Sequence, residues 1–391
     1  MGSIEAGYTA SGSRRRISVT AKTEAECKRR LRDKQRKIDR EGLPSSASAD
    51  RVTVKAWVDV WLPQRERVVR PKTFATDAST LARWIVPTIG HKRLATLSPA
   101  DRRAVMTAME DGGLELSSLT RCHMLIGKML TDAVAEGYSV PQRVREVPSP
   151  GMNAPDRDAL AFDDALAILA VASKRPDASR WVAAMLQGVR PAEARGLPWD
   201  MVNFEADEIT LAWQLQALPY KVKRDPSSGF RVPRGYEARQ VDGALHLVRP
   251  KTRSGWRVVP MVPWMRTSLL AWREIAPESP YGLVWPQADG RPRRDGDDRA
   301  AWHAITDAAH VAVTEPNPVA GGPEVIGRRP DLYEARHTAA TLLRAAKVDD
   351  ATITAILGHA TILSTKAYLH TDHTRKRRAL ESVAETLGLT T

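Results

Sequence analysis

Gly188-Val189-Arg190-Pro191-Ala192-Glu193-Ala194-Arg195-Gly196-Leu197 is the stretch on which the reading of this chain turns. An apolar helical segment, 180–186, runs into a glycine. An arginine follows, and a proline opens a new helix whose first turn carries Glu193. Proline suits a helix's first turn, because the N–H it lacks would have no partner there. Glu193, three residues after Arg190, is placed to orient that guanidinium through a hydrogen-bonded ion pair. Alone, such a pair is usually a surface salt bridge of little energetic weight.

Three further stretches lie downstream. Leu332-Tyr333-Glu334-Ala335-Arg336-His337-Thr338 puts Tyr333 and Arg336 three apart, on one helix face, with His337 next to Arg336. In Ile356-Leu357-Gly358-His359 a helix ends at the glycine and His359 starts a new turn. Tyr368 follows nine residues after His359. Arg249-Pro250-Lys251-Thr252-Arg253-Ser254-Gly255-Trp256 reads as a β-hairpin turn carrying Lys251. Each residue alone has a plain explanation: a core or surface aromatic, a helix-end histidine, a solvated turn lysine.

Composition narrows the class. In 391 residues, 59 Lys and Arg against 46 Asp and Glu give a formal charge of +13 and a pI near 9.9. Such a balance points to a polyanionic partner, nucleic acid first, since Lys and Arg displace the counterions condensed on phosphates. A hydrophobic content of 42% supports real cores and excludes a mainly disordered chain. No apolar run approaches the ~20 residues that span a bilayer. The N-terminus lacks a signal-peptide core. A cytoplasmic protein without membrane contact is expected. Cys27 and Cys122 have no metal-ligand spacing, and no His/Cys/Asp cluster suggests a metal or cofactor, so none is expected.

Along the chain, residues 1–43 form a small β-β-α module. Strands are expected at 4–9 and 15–20, and a helix from Thr23, a capping residue with Glu26 three positions on, to about residue 40. Residues 1–50 hold twelve Lys and Arg against seven acids, among them Arg14, Arg15, Arg16, Lys28, Arg29 and Arg30. Residues 44–50 read as a linker rich in serine. Residues 51–148 form an all-α domain. Val54, Trp57, Val58 and Trp61 recur at helical spacing, as do Leu119, Cys122, Ile126, Met129, Leu130 and Ala133. Pro87 and Gly90 are expected to break the pattern between helices. A second linker covers 149–157. Residues 158–391 form a mixed α+β domain. Its strands are expected at 208–214, 244–248 and 256–259, and its helices at 162–172, 180–186, 299–309, 335–346, 350–357 and 378–387. Residues 219–241 read as a mobile basic loop. Near the end, Arg375-Lys376-Arg377-Arg378 precedes an amphipathic helix with Leu380, Val383, Ala384 and Leu387 along one face.

Taken in order, Arg190, Lys251, Arg336, His359 and Tyr368 resemble the catalytic set of the tyrosine recombinase (phage integrase) family. That set is an arginine, a β-hairpin lysine, His-x-x-Arg, Leu-Gly-His and a tyrosine nine residues later. The match spans some 180 residues in four segments. The resemblance continues upstream. Trp84-Ile85-Val86-Pro87-Thr88-Ile89-Gly90 with Leu94, Leu97 and Pro99 is similar to the family's helical core-binding domain. The β-β-α module resembles an abbreviated arm-type DNA-binding domain, which normally has three strands. One position departs from the pattern: Tyr333 stands where the family has the histidine of His-x-x-Arg. A phenol with a pKa near 10 can donate a hydrogen bond but is a poor proton shuttle at neutral pH.

The resemblance implies a multidomain fold, mainly α with small β-sheets. It also implies a site-specific recombinase, most simply an integrase of a temperate phage or integrative element. Tyr368 would be the nucleophile, Arg190 and Arg336 the phosphate-binding cations, His359 a further donor or base and Lys251 the general acid. Glu193 and His337 would support them, and Arg253 would lie beside the phosphate. The implied partners are double-stranded attachment sites, three further protomers in a tetramer, a DNA-bending host factor and an excisionase. The tail helix would dock on a neighbour or on its own domain. The alternatives are a resolvase, invertase or transposon recombinase, a type IB topoisomerase, and a catalytically silent DNA-binding protein of the same fold.

Overall fold

The computed structural model describes residues 2–8, 14–41, 51–151, 160–222, 224–250, 255–311, 314–315, 325–326, 329–358 and 373–386. The chain divides into two compact units, 1–156 with 232–234, and 157–231 with 235–391.

The first unit begins with β1 (Gly2–Tyr8) and β2 (Arg14–Val19), an antiparallel pair in which Ile4 faces Ile17. Helix α1 (Glu24–Glu41) starts where Thr23 Oγ1 accepts from the Glu26 amide at 3.3 Å, and buries Cys27. A helical bundle follows: α2 (Val54–Val68), α3 (Pro71–Thr80), α4 (Val86–Ile89), α5 (Pro99–Asp111), α6 (Leu116–Ala135) and α7 (Gln142–Arg145). Its core gathers the two apolar stripes read from the sequence, Trp57 and Trp61 against Ile126, Met129 and Leu130. The indoles are also tied by hydrogen bonds, Trp57 Nε1 to Met129 O at 3.0 Å and Trp61 Nε1 to Asp132 Oδ2 at 2.8 Å.

Pro87 does not break its helix. Residues 81–85 form a π turn in which the Val86 amide reaches back to Leu81 O, and α3 runs through it into α4. The wider turn admits a residue that has no N–H to donate. The helix stops at Gly90, whose amide bonds to Val86 O at 2.9 Å.

The second unit opens with α8 (Phe162–Ala172), α9 (Ala178–Met185) and the short α10 (Pro191–Arg195). The strands are β3 (Val202–Asn203), β4 (Glu208–Leu211), β5 (Gln214–Ala217), β6 (Ala238–Asp242), β7 (Leu245–Val248) and β8 (Arg257–Pro260). They make two antiparallel sheets, in the orders β3-β4-β8 and β5-β7-β6. After them come α11 (Pro263–Ile275), α12 (Asp295–Ala308), a two-residue pair β9 (Thr314–Glu315) and β10 (Val325–Ile326), α13 (Leu332–Ala345), α14 (Asp350–Leu357) and α15 (His373–Thr386).

Three expectations are corrected here. The single strand at 208–214 is two strands in different sheets, β4 and β5. Among the described residues, the strands on either side of the turn carrying Lys251 do not pair with each other as the expected hairpin would: β7 pairs with β5 and β6, and β8 with β4. Residues 219–241 are not a plain loop. They contain most of β6 and a Tyr220–Phe230 bridge whose rings stack with centroids 4.9 Å apart.

The main core lies among α8, α9, α11, α12, α13 and α14, with Trp181, Trp285 and Trp302 fully buried in it. Helix α15 joins this core through Ala379, Leu380 and Val383. Arg375–Arg378 lie inside its first turns rather than before it. Lys376 Nζ donates to Val258 O at 3.4 Å, and Arg377 Nη1 donates to Met261 O at 3.2 Å. The described part of the tail helix thus docks on its own domain. The side chain of Ala384, and Leu387, lie outside the described residues.

Candidate active site

The site is assembled where three backbone segments meet, and Gly188 sets how closely they approach. This residue has φ +61°, and a Cβ added to it would fall 2.1 Å from Leu357 Cδ2. Glycine satisfies both demands, the left-handed backbone and the contact. The chain then turns into α10 with Pro191 at its first position. Glu193 reaches back to the Arg190 amide through Oε2 at 3.0 Å and accepts from Arg190 Nη1 through Oε1 at 2.6 Å. The ion pair expected from the spacing is present, and its carboxylate is fully buried.

From α13, the almost fully buried Arg336 donates through Nη1 to Gly188 O and through Nη2 to Leu357 O. Arg190 Nη2 donates to Gly358 O at 2.9 Å. Arg257, on β8, grips Glu193 with Nη1 at 3.0 Å and Nη2 at 2.9 Å, and its Nε donates to Ile356 O at 2.7 Å. Residues 188, 190, 193, 257 and 336 therefore converge on the C-terminal end of α14, where Gly358 adopts the left-handed cap.

Charge in this cluster is unbalanced, with three guanidiniums around the one carboxylate of Glu193. Burial alone raises the Glu193 carboxyl, but Arg257 and Arg190 outweigh it and hold the group at about 2. Burial, followed by the fields of Arg257 and Arg190, pushes the Arg336 guanidinium well below its ordinary value, while Glu193 and Tyr333 oppose this. An anion entering between Arg190 and Arg336 would relieve that repulsion. Each guanidinium has five N–H groups in a planar fork, so arginines bonded to carbonyls keep further donors for such an anion.

The other residues singled out from the sequence are placed as follows. Tyr333 lies in the first turn of α13, 43% exposed, near enough to act on Arg336. It does not share the buried face of Arg336. His337 is exposed one turn further along, on the same side as Tyr333. Lys251, Arg253, His359 and Tyr368 lie outside the described residues, in the stretches 251–254 and 359–372, whose flanking residues 250, 255, 358 and 373 are described. The chain enters residue 359 from Gly358, and Gly255 O, just past Arg253, accepts from Arg257 Nη1 at 3.5 Å. In the first module, Arg16, Lys28, Arg29 and Arg30 are exposed, with Lys28 paired to Glu24 at 2.7 Å and Arg30 to Glu26 at 2.6 Å. The side chains of Arg14 and Arg15 lie outside the described residues.

Arg257 is the site residue that the sequence reading missed. Its signal was present: in Arg257-Val258-Val259 the arginine takes the same side of the strand as the fully buried Val259. A charge on the inward face of a strand needs a buried partner.

Among the described residues no group of His, Cys, Asp and Glu could hold a metal ion, and no helix is long and apolar enough to cross a membrane.

No protein-family model matches the chain. A protein named integrase from Saccharopolyspora erythraea is 21% identical over 359 residues, covering 81% of this chain and 78% of the relative. The Tn1549 transposon integrase in complex with a circular intermediate DNA aligns with a TM-score of 0.62 at 15% identity, over 85% of this chain and 100% of that one. A lambda integrase tetramer bound to a Holliday junction aligns with a TM-score of 0.56 at 14% identity, over 92% of this chain and 94% of that one. At these identities the structural likenesses show the fold.

Proposed function

We infer that this chain is a tyrosine recombinase, a site-specific DNA recombinase of the integrase kind that breaks and rejoins strands. The observation that carries the reading is the convergence of Arg190 and Arg336 on the end of α14 that leads directly into His359. Its support is the integrase relative and the shared fold of two DNA-bound integrases.

The chemistry proposed for the site needs neither metal nor cofactor. The Tyr368 oxygen attacks the scissile phosphorus, and a P–O bond to tyrosine forms as the bond to the 5′-oxygen breaks. Negative charge grows on the two non-bridging oxygens, where Arg190 and Arg336 donate charge-assisted hydrogen bonds. Lys251 gives a proton to the departing 5′-oxygen, and His359 takes or shares the proton of Tyr368. The phosphotyrosine keeps the phosphoryl group activated, so a 5′-hydroxyl of another strand reseals the backbone without ATP. Tyr333 supplies a phenolic donor where the family has an imidazole.

The partners are two duplex attachment sites held by four protomers, with a DNA-bending host factor and an excisionase setting direction. Residues 51–148 would grip the core site and 158–391 would carry the chemistry. The basic β-β-α module would bind remote arm sites, with Arg14, Arg15, Arg16, Lys28, Arg29 and Arg30 toward phosphates, and Arg253 beside the crossover. The setting is the cytoplasm of the host cell, at its nucleoid.

Nicked suicide duplexes tiled across the DNA flanking the gene test the reading. The wild-type chain is expected to form a covalent protein–DNA adduct, and Tyr368→Phe to abolish it. An adduct that survives Tyr368→Phe removes the nucleophile assignment. DNA binding with no adduct from the wild type favours the catalytically silent alternative.

A further inference from the structure

The last three carbonyls at the end of α14 are each held by a different arginine. Ile356 O accepts from Arg257, Leu357 O from Arg336 and Gly358 O from Arg190. The final carbonyls of a helix have no partner within it and form the negative end of its dipole, so cations are favoured there. Two of the three arginines are the phosphate-binding pair of the proposed reaction. The third has another task.

We propose that Arg257 is a positioning residue that fixes Arg190 and the end of α14 in one register for phosphodiester cleavage. The proposal rests on the recombinase reading above. All three nitrogens of Arg257 are engaged within the protein, two with Glu193 and one with Ile356 O. The residue is 6% exposed. It is therefore placed to act through its neighbours and not by touching the phosphate.

Its action has two parts. Mechanically, one rigid planar fork ties α10, through Glu193, to the end of α14. The segment that carries His359 and Tyr368 starts one residue beyond that end. Electrostatically, Arg257 shares the Glu193 carboxylate with Arg190. Without Arg257, Arg190 would be the one direct ion-pair partner left to the buried Glu193 carboxylate, with Arg336 acting on it only through its field. That would draw Arg190 toward Glu193 and cancel the charge it brings to the phosphate. Lysine cannot replace this arrangement, because one ammonium nitrogen cannot span a carboxylate and a carbonyl in fixed geometry.

The test uses the full chain and the nicked duplex on which the wild type forms its adduct. DNA affinity and the single-turnover cleavage rate are measured separately. Arg257→Gln is expected to lower the rate about 100-fold, the scale of an ångström-sized misplacement at a reacting centre, with affinity within about twofold of wild type. Adding Glu193→Gln to Arg257→Gln is expected to restore at least tenfold of that loss, because the stranded charge on Arg190 is removed. A hole in the core would not be repaired by altering a second partner.

An Arg257→Gln rate within threefold of wild type overturns the proposal. So does a double variant no faster than Arg257→Gln. Where Arg257→Gln fails to fold, Arg257→Lys is read instead: a tenfold slower rate at unchanged affinity supports the proposal, and the wild-type rate overturns it. If the wild type forms no adduct on any duplex, the recombinase reading itself fails and this inference falls with it. An adduct from the wild type together with unaffected Arg257 variants defeats the positioning role alone.

Discussion

Glu193 is a carboxylate with no exposed surface, held ionised by two guanidiniums. Its pKa near 2, against an ordinary 4.5, ties stability to pH. A depressed carboxylate contributes stability that is complete above its unfolded pKa. That contribution fades as pH falls from about 4.5 toward about 2. Urea unfolding between pH 6 and pH 2.5 should show this loss in the wild type. Glu193→Gln has no proton to take up there, so its unfolding free energy should fall less steeply over the same window. Parallel slopes would mean that Glu193 is not held as the contacts imply. Arg190 and Glu193 were legible in the sequence because their partnership is local, three residues apart on one helical turn. Arg257 was not, since its partners lie 64 and 99 positions away.

Among the elements, α14 and α15 bracket the stretch of chain that holds His359 and Tyr368. Helix α14 is short and ends at a left-handed glycine; its span, 350–357, and its stop at Gly358 could be read from the sequence, while the left-handed backbone comes from the structure. Helix α15 was legible as amphipathic, but an apolar stripe does not say what covers it. The structure seats Leu380 and Val383 in the core of the same unit, while Arg377 bonds to the backbone between β8 and α11. With Leu380 fully buried, Leu380→Ala should cost about 2–5 kcal/mol through lost burial and the cavity left behind. The measurement is the urea midpoint, and a change under 1 kcal/mol would place the helix elsewhere in solution. The expected break at Pro87 failed for a different reason. Proline weighs against a helix locally, but a π turn one residue upstream and the packing of Leu81 and Ile85 into the bundle core carry the helix through it.

Across the whole molecule, the +13 charge is spread over distinct parts. Part of it lies in the exposed α1 residues Lys28, Arg29 and Arg30, and part in the buried arginines around Glu193. If the first module binds remote arm sites, deleting residues 1–42 should leave adduct formation on the nicked core duplex within about threefold of wild type. Integration of a plasmid carrying a full attachment site should fall at least tenfold. Unchanged integration would remove the arm-binding role.

By itself the sequence determined the helices with strong periodicity, the turn at Arg190 with its Glu193 partner, and an ordered set of residues spread over four segments. These are local properties: helix and strand periods report which side chains share a face, and caps report where a backbone runs out of partners. Only the tertiary structure decided how the strands divide between two sheets, that the described tail helix packs on its own domain, and that Arg257 completes the ring of donors around α14. Each of those depends on contacts between residues far apart in the chain. A long-range contact leaves no periodic trace, because its free energy belongs to the pair once folded and not to either segment alone.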